Sequence, residues 1–149
     1  DASGAPTGNA FKLALFSSDS ASLSKTTTVY TAPSSANAVP TNTLEVSQSQ
    51  TDGGASNTGY TAGGTALTAS ADPVLSTDTA CIKFNDVSFS SATFTARGCL
   101  IYNSTAVTGF TTNRSVCAIN FGADKTVTSG TFTVQFPAQT AGNAIVQIA

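Results

Sequence analysis

The clearest pattern in the chain is alternation with a period of two. In "TFTVQF", Phe132, Val134 and Phe136 fall on one side and Thr131, Thr133 and Gln135 on the other, the signature of a half-buried strand. "TACIKFND" repeats it, and the spacing predicts Ala80, Ile82 and Phe84 inward with Cys81 and Lys83 outward. "FKLALF" sets Phe11, Leu13 and Leu15 against Lys12, Ala14 and Phe16, so both faces of that strand are expected to be buried. "SVCAINF" and "NAIVQIA" are short apolar runs bounded by turn residues. "SATFTARGCLIYN" reads as a longer strand with a bulge or bend at Gly98. No window sustains a 3.6-residue period, so no amphipathic helix is predicted.

Turn signals separate these runs: "TDGGASNTG", "TAGG", "SADP", "SFSS", "TNRS", "FGADK" and "QTAGN". Strands recurring at such short spacing, with few helix formers between them, predict an all-β, single-domain β-sandwich or jelly roll of about 7–8 antiparallel strands. The domain is expected to occupy residues 11–149. Residues 1–10, "DASGAPTGNA", are small and polar and read as a flexible N-terminal arm. Between Ser17 and Thr58 the pattern is least regular, and "APSSANAVP" reads as part of a surface excursion rather than a domain boundary.

Composition sharpens this reading. The chain has 149 residues, enough for one domain with a real core. Only 9% of them are charged, against about a quarter in an ordinary soluble protein. Ser and Thr make up roughly three residues in ten. The net charge of −2 and the scattered basic residues leave no stripe to neutralise phosphates, which argues against nucleic acid as a partner. No apolar run is long enough to span a bilayer as a helix, so no membrane partner is expected. Strand-favouring side chains with few charges to blunt sheet edges point to association, and a homo-oligomer is expected.

The chemistry is sparse. There is no histidine, which removes the commonest general base and every His-containing triad or metal site, so no cofactor or metal is expected and catalysis is not. Asp72, Asp78 and Asp86 flank one strand and could be imagined as a carboxylate pair, but turn capping accounts for them. The Gly-rich stretches lack the lysine and helix of a phosphate loop. "NST" at Asn103 and "NRS" at Asn113 match the glycosylation sequon, as chance allows in so Ser/Thr-rich a chain. Three cysteines, Cys81, Cys99 and Cys117, read first as small apolar side chains. A bridge between Cys99 and Cys117 is the alternative if their strands are neighbours. Tyr30, Tyr60 and Tyr102 are the candidate stacking platforms, against ordinary strand packing with the hydroxyl in water.

Arg97 is one of two arginines and precedes Gly98. No second cation or phosphate-binding nest accompanies it, so it is expected to hold structure at the bend, through strand carbonyls or one carboxylate, with Asp86 and Asp124 as candidate partners.

The pieces "GYTAGG", "ARG-LIYN", "FG-DKT---G-FTV-FP" and "NAI--IA", spread from about Phe11 to Ala149, resemble a family of small virion structural proteins of tailed bacteriophages. The resemblance implies a non-enzymatic capsid decoration (cement) protein located in the virion. It would bind the major capsid protein or another virion protein, as an oligomer with a trimer favoured. The arm residues Asp1, Ala2, Ser3, Gly4, Ala5 and Pro6, with Tyr60 and Tyr102, are the candidate interface. The cysteines and the insertion around "APSSANAVPTNT" depart from the family pattern. Two other readings stand beside it: a receptor- or glycan-binding module of a tail or head fibre, and a subunit of an extracellular filament.

Overall fold

A computed structural model describes residues 8–17, 23, 26–30, 45–46, 57–69, 73–106, 109 and 111–148. Among them the protein is all-β, with two antiparallel sheets. Among the described residues seven strands follow one another: β1 (Phe11–Phe16), β2 (Thr65–Leu67), β3 (Val74–Ser76), β4 (Thr79–Ile82), β5 (Val87–Asn103), β6 (Arg114–Val134) and β7 (Val146–Ile148). The larger sheet runs β2-β1-β5-β6 and the smaller β3-β4-β7.

The main core lies on one face of the larger sheet, where Leu13, Leu15, Phe89, Phe94, Cys99 and Ile101 are buried together. A second, smaller cluster on the other face joins Ala14, Phe16, Tyr30, Leu100 and Tyr102. β1 therefore buries side chains of both parities from Leu13 to Phe16, as its unbroken apolar run predicts. It lies between β2 and β5 and is covered on both faces.

β5 and β6 form one very long hairpin whose register slips between Phe89 and Ala92, Ala92 and Phe94, Ala96 and Gly98, and Ile101 and Tyr102. Each slip bends the ribbon and increases its twist. The bending is large. Phe121 and Phe132 belong to the same strand and would stand about 36 Å apart if it were straight, yet their ring centroids are 6.3 Å apart. The coiled ribbon thereby brings Phe89, Phe94, Phe121 and Phe132 into one aromatic group.

Several sequence expectations need correcting. "FGADK" is not a turn between strands but an excursion inside β6: Ala96 pairs with Lys125 and Gly98 with Asn120, so Phe121, Gly122, Ala123 and Asp124 stand opposite Arg97 alone. Gly122 supplies the positive φ of 80° and its N–H donates to Asn120 Oδ1 at 2.8 Å, a local turn that a strand can carry as a bulge. In β4 the facing is reversed, with Cys81 buried and Ala80 exposed. The strand stops at Ile82, and Phe84 is buried through an isolated bridge to Ala69 rather than as part of β4, so the alternation does not carry through.

The arm residues Asp1 to Pro6 lie outside the described residues. At the arm's end Ala10 is tied down: its N–H donates to Thr105 Oγ1 at 2.6 Å and its carbonyl accepts from Ser104 N at 2.8 Å. Most of the irregular stretch from Ser17 to Thr58 also lies outside. Glu45 and Val46 within it are fully buried, which a surface excursion would not require.

Candidate functional site

Among the described residues the most organised polar group is centred on Glu45, which is 0% exposed. A carboxylate taken out of water costs several kcal/mol unless its oxygens are satisfied, so its partners matter. Backbone pairing places it: Glu45 bridges Phe16, and Val46 N–H donates to Leu15 O at 3.0 Å. Oε1 then accepts from Tyr60 OH at 2.5 Å and from Gly63 N–H at 2.7 Å. Oε2 accepts from Tyr30 OH at 2.8 Å. Among the described residues three donors meet the two oxygens, and none of the three is a cation.

Each phenol does further work. Tyr60 Oη accepts from Leu15 N–H at 2.9 Å, so one side chain ties Glu45 to β1. Tyr102 OH donates to Gly63 O at 2.7 Å, and its ring stacks on Tyr30 with centroids 4.4 Å apart and planes 8° from parallel. Asn57 Nδ2 donates to Val46 O. The loop from Gly59 to Gly64 is thus clamped from three sides. Its glycine at 64 is obligatory, because φ is +70° and a Cβ would lie 1.9 Å from Leu13 O.

Burial holds the proton on all three phenols. Tyr30 and Tyr60 are pushed well above the ordinary phenol range, first by desolvation and then by hydrogen bonding and charge from Glu45. Tyr102 rises to about 12, by desolvation and then by the Glu45 charge. Phenols held neutral donate and do not act as bases, so the arrangement serves as a clasp.

The cluster turns the hydroxyls of Tyr60 and Tyr102, both expected at an interface, toward the inside of the chain. Tyr102 is 2% exposed and Tyr60 is half-buried with its hydroxyl turned inward. Glu45 itself did not stand out in the sequence. The available signal was that it is the only glutamate and sits between Leu44 and Val46, a charged residue in an apolar step.

The Arg97 region is built differently. Arg97 Nη1 lies 3.5 Å from Asp124 Oδ1, with the two side chains 40% and 45% exposed. Asp124 is therefore the arginine's partner and Asp86 is not; Asp86 Oδ1 accepts instead from Phe136 N–H at 2.9 Å, holding the exit from β6. Next to the ion pair, Gly98 permits a close approach of strands, since a Cβ there would stand 2.5 Å from Ile119 O. The ion pair spans the excursion from Phe121 to Asp124 across from Arg97.

The three thiols are free. β5 and β6 are neighbours, but Cys99 pairs with Ile119 and Cys117 with Ile101. The two cysteines are diagonal, about 7–8 Å apart between backbones in such a ladder, too far for a relaxed bridge. Burial pushes the Cys99 thiol up to about 12, with Cys117 adding to it, and raises Cys117 as well. Of the two sequon asparagines, Asn103 is buried and its Oδ1 accepts from Thr105 N–H at 2.9 Å.

Among the described residues no group of three or more His, Cys, Asp or Glu side chains is placed to hold a metal ion, and no helix is long and apolar enough to cross a membrane. The fold and the site together define an all-β protein whose buried acid and tyrosines fasten a glycine-rich loop to its main sheet. No protein-family profile, curated protein or solved structure matches the chain.

Proposed function

We propose that this protein is a non-enzymatic structural subunit of a virion, a decoration protein that binds the outer surface of a tailed-phage head. The observation that carries the proposal is where the motif residues of the resemblance fall. Tyr60, Gly63 and Gly64 of "GYTAGG" and Tyr102 of "ARG-LIYN" converge on the clasp. Arg97 and Asp124, from "ARG-LIYN" and "FG-DKT", meet across the excursion in β6. A motif set whose members hold loops to strands suits a protein selected for rigidity.

On this reading the two sheets form a sandwich or jelly roll of about 7–8 strands. Copies associate, with a trimer favoured, and bind across joints between major capsid subunits. Each contact is modest, and many symmetry-related copies together stabilise the shell by mass action. Residues 1–10 reach a neighbouring subunit by strand addition.

Heads lacking the protein, titrated with it and imaged, test the proposal. Regular occupancy at fixed capsid positions, with heads more resistant to heat, is the expected result. Absence of binding to heads, or a position on a tail fibre, overturns it. Removal of residues 1–10 with undiminished occupancy overturns the role of the arm alone.

A further inference from the structure

β6 is the outermost strand of the larger sheet. Its outer edge is paired at its start, where Val29 bridges Arg114 and Ser115 N–H donates to Thr28 O at 2.9 Å. From Val116 onward no further pairing of that edge occurs among the described residues. A groove of about 370 Å³ opens there, lined by Phe121, Lys125, Phe132, Thr133, Val134 and Gln135.

Phe132, Thr133 and Val134 are consecutive in β6, with Gln135 just past its end, and consecutive strand residues point to opposite faces. A groove that touches all four runs along the side of the strand and exposes its backbone. No β5 residue lines it, so that side is the outer one, and Phe121 and Lys125 reach it because β6 curls back on itself. From Phe132 to Val134 the strand pairs with Phe89, Ser88 and Val87 without a register slip.

Charge defines what fits. Lys125 is exposed and, among the described residues, its side chain has no ion pair or hydrogen bond. The neighbouring carboxylate, Asp124, already faces Arg97. The groove thus combines an apolar floor from two phenylalanines, an unopposed ammonium at the rim and a row of open backbone groups.

We propose that this edge binds an extended segment of another protein by strand addition, with an apolar side chain of the segment seated against Phe121 and Phe132 and a carboxylate two residues along it on Lys125. Main-chain hydrogen bonds to β6 fix the segment's direction, and the groove and the lysine select its sequence. Clasp residues take no part in this surface.

The test uses the full chain and a labelled, end-blocked hexapeptide, Thr-Phe-Val-Glu-Val-Thr, whose Phe and Glu share a face. Binding is followed by fluorescence anisotropy and by amide chemical shifts. The expected result is saturable binding with shifts concentrated at residues 130–135, abolished when alternate probe amides are N-methylated. Lys125→Glu, an exposed change checked for unaltered folding, weakens binding about tenfold. Lys125→Gln and a probe with Gln for Glu give losses that do not add, as expected for groups in contact. The proposal is overturned by no binding at about 1 mM probe, or by binding indifferent to N-methylation or to Lys125. It is also overturned if the same amides shift with protein concentration alone, which would make this edge a contact between two copies of the chain.

Discussion

Tyr102 lies flat against Tyr30, and the two phenols reach opposite ends of one arrangement: Tyr30 donates to Glu45 and Tyr102 to the carbonyl of Gly63, whose N–H also binds Glu45. The stack closes a loop of contacts that runs through β5, the turn at Gly63 and the segments that carry Tyr30 and Glu45. Its strength rests on the carboxylate.

Replacing that carboxylate should therefore separate charge from shape. Glu45→Ala leaves two phenols and an amide without an acceptor, and an expected loss of about 3–5 kcal/mol follows. Glu45→Gln keeps an oxygen for Tyr60 and Gly63 and offers an amide to Tyr30, so its cost is nearer 1–2 kcal/mol. Urea unfolding of the two variants checks the order; equal losses would mean that the buried acid is not the centre of the clasp.

At the excursion in β6, glycine should matter more than arginine. Arg97→Ala removes an exposed pair at 3.5 Å, and the expected change is at most about 1 kcal/mol. Gly98→Ala drives a Cβ toward the Ile119 carbonyl and should cost more than about 2 kcal/mol, through separation of β5 from β6. Thermal melts of both variants decide it. A larger loss for the arginine would make the ion pair the real fastening.

Stability should fall in alkali. Tyr102 and Cys99 keep their protons in the folded state to about 12, whereas their ordinary values are 10.0 and 9.0. Raised folded-state values mean that the unfolded chain loses protons first. The contribution is whole below about pH 9, declines as unfolded thiols and phenols ionise, and is gone for these two groups by about pH 12. Tyr30 and Tyr60 act in the same direction and extend the decline. Denaturant midpoints measured from pH 7 upward should drop from about pH 9; a flat profile to pH 12 would contradict buried, neutral phenols.

The thiols should show the same protection chemically. In the folded protein at pH 8, Cys99 is expected to resist a thiol reagent, since it is buried and its thiolate is suppressed. Denaturation should expose all three cysteines. A reagent count below three in the unreduced, denatured protein would reveal a bridge.

The sequence carried the strands well where one face alternates, as in Phe132 to Val134, or where a whole run is apolar, as in Leu13 to Phe16. Both patterns report burial directly. It carried the excursion at "FGADK" only as a turn, because a bulge and a turn use the same residues and differ in what lies across from them. Arg97 and Asp124 could be paired as candidates, but choosing Asp124 over Asp86 needed the register. Glu45 was least legible. Its partners lie 15 and 18 positions away at Tyr30, Tyr60 and Gly63, and nothing local distinguishes a buried acid from a solvated one.

The four residues across from Arg97 also divide β6 into two independently registered lengths. Pairing with β5 is set on one side by Asn120 and on the other by Lys125, and neither depends on how much chain lies between. At Gly122 a side chain would meet nothing within 4 Å. A short foreign peptide spliced between Gly122 and Ala123 should leave both lengths in place, which makes this corner a natural handle for a fluorophore or an electron-dense tag when the protein is traced in a larger assembly.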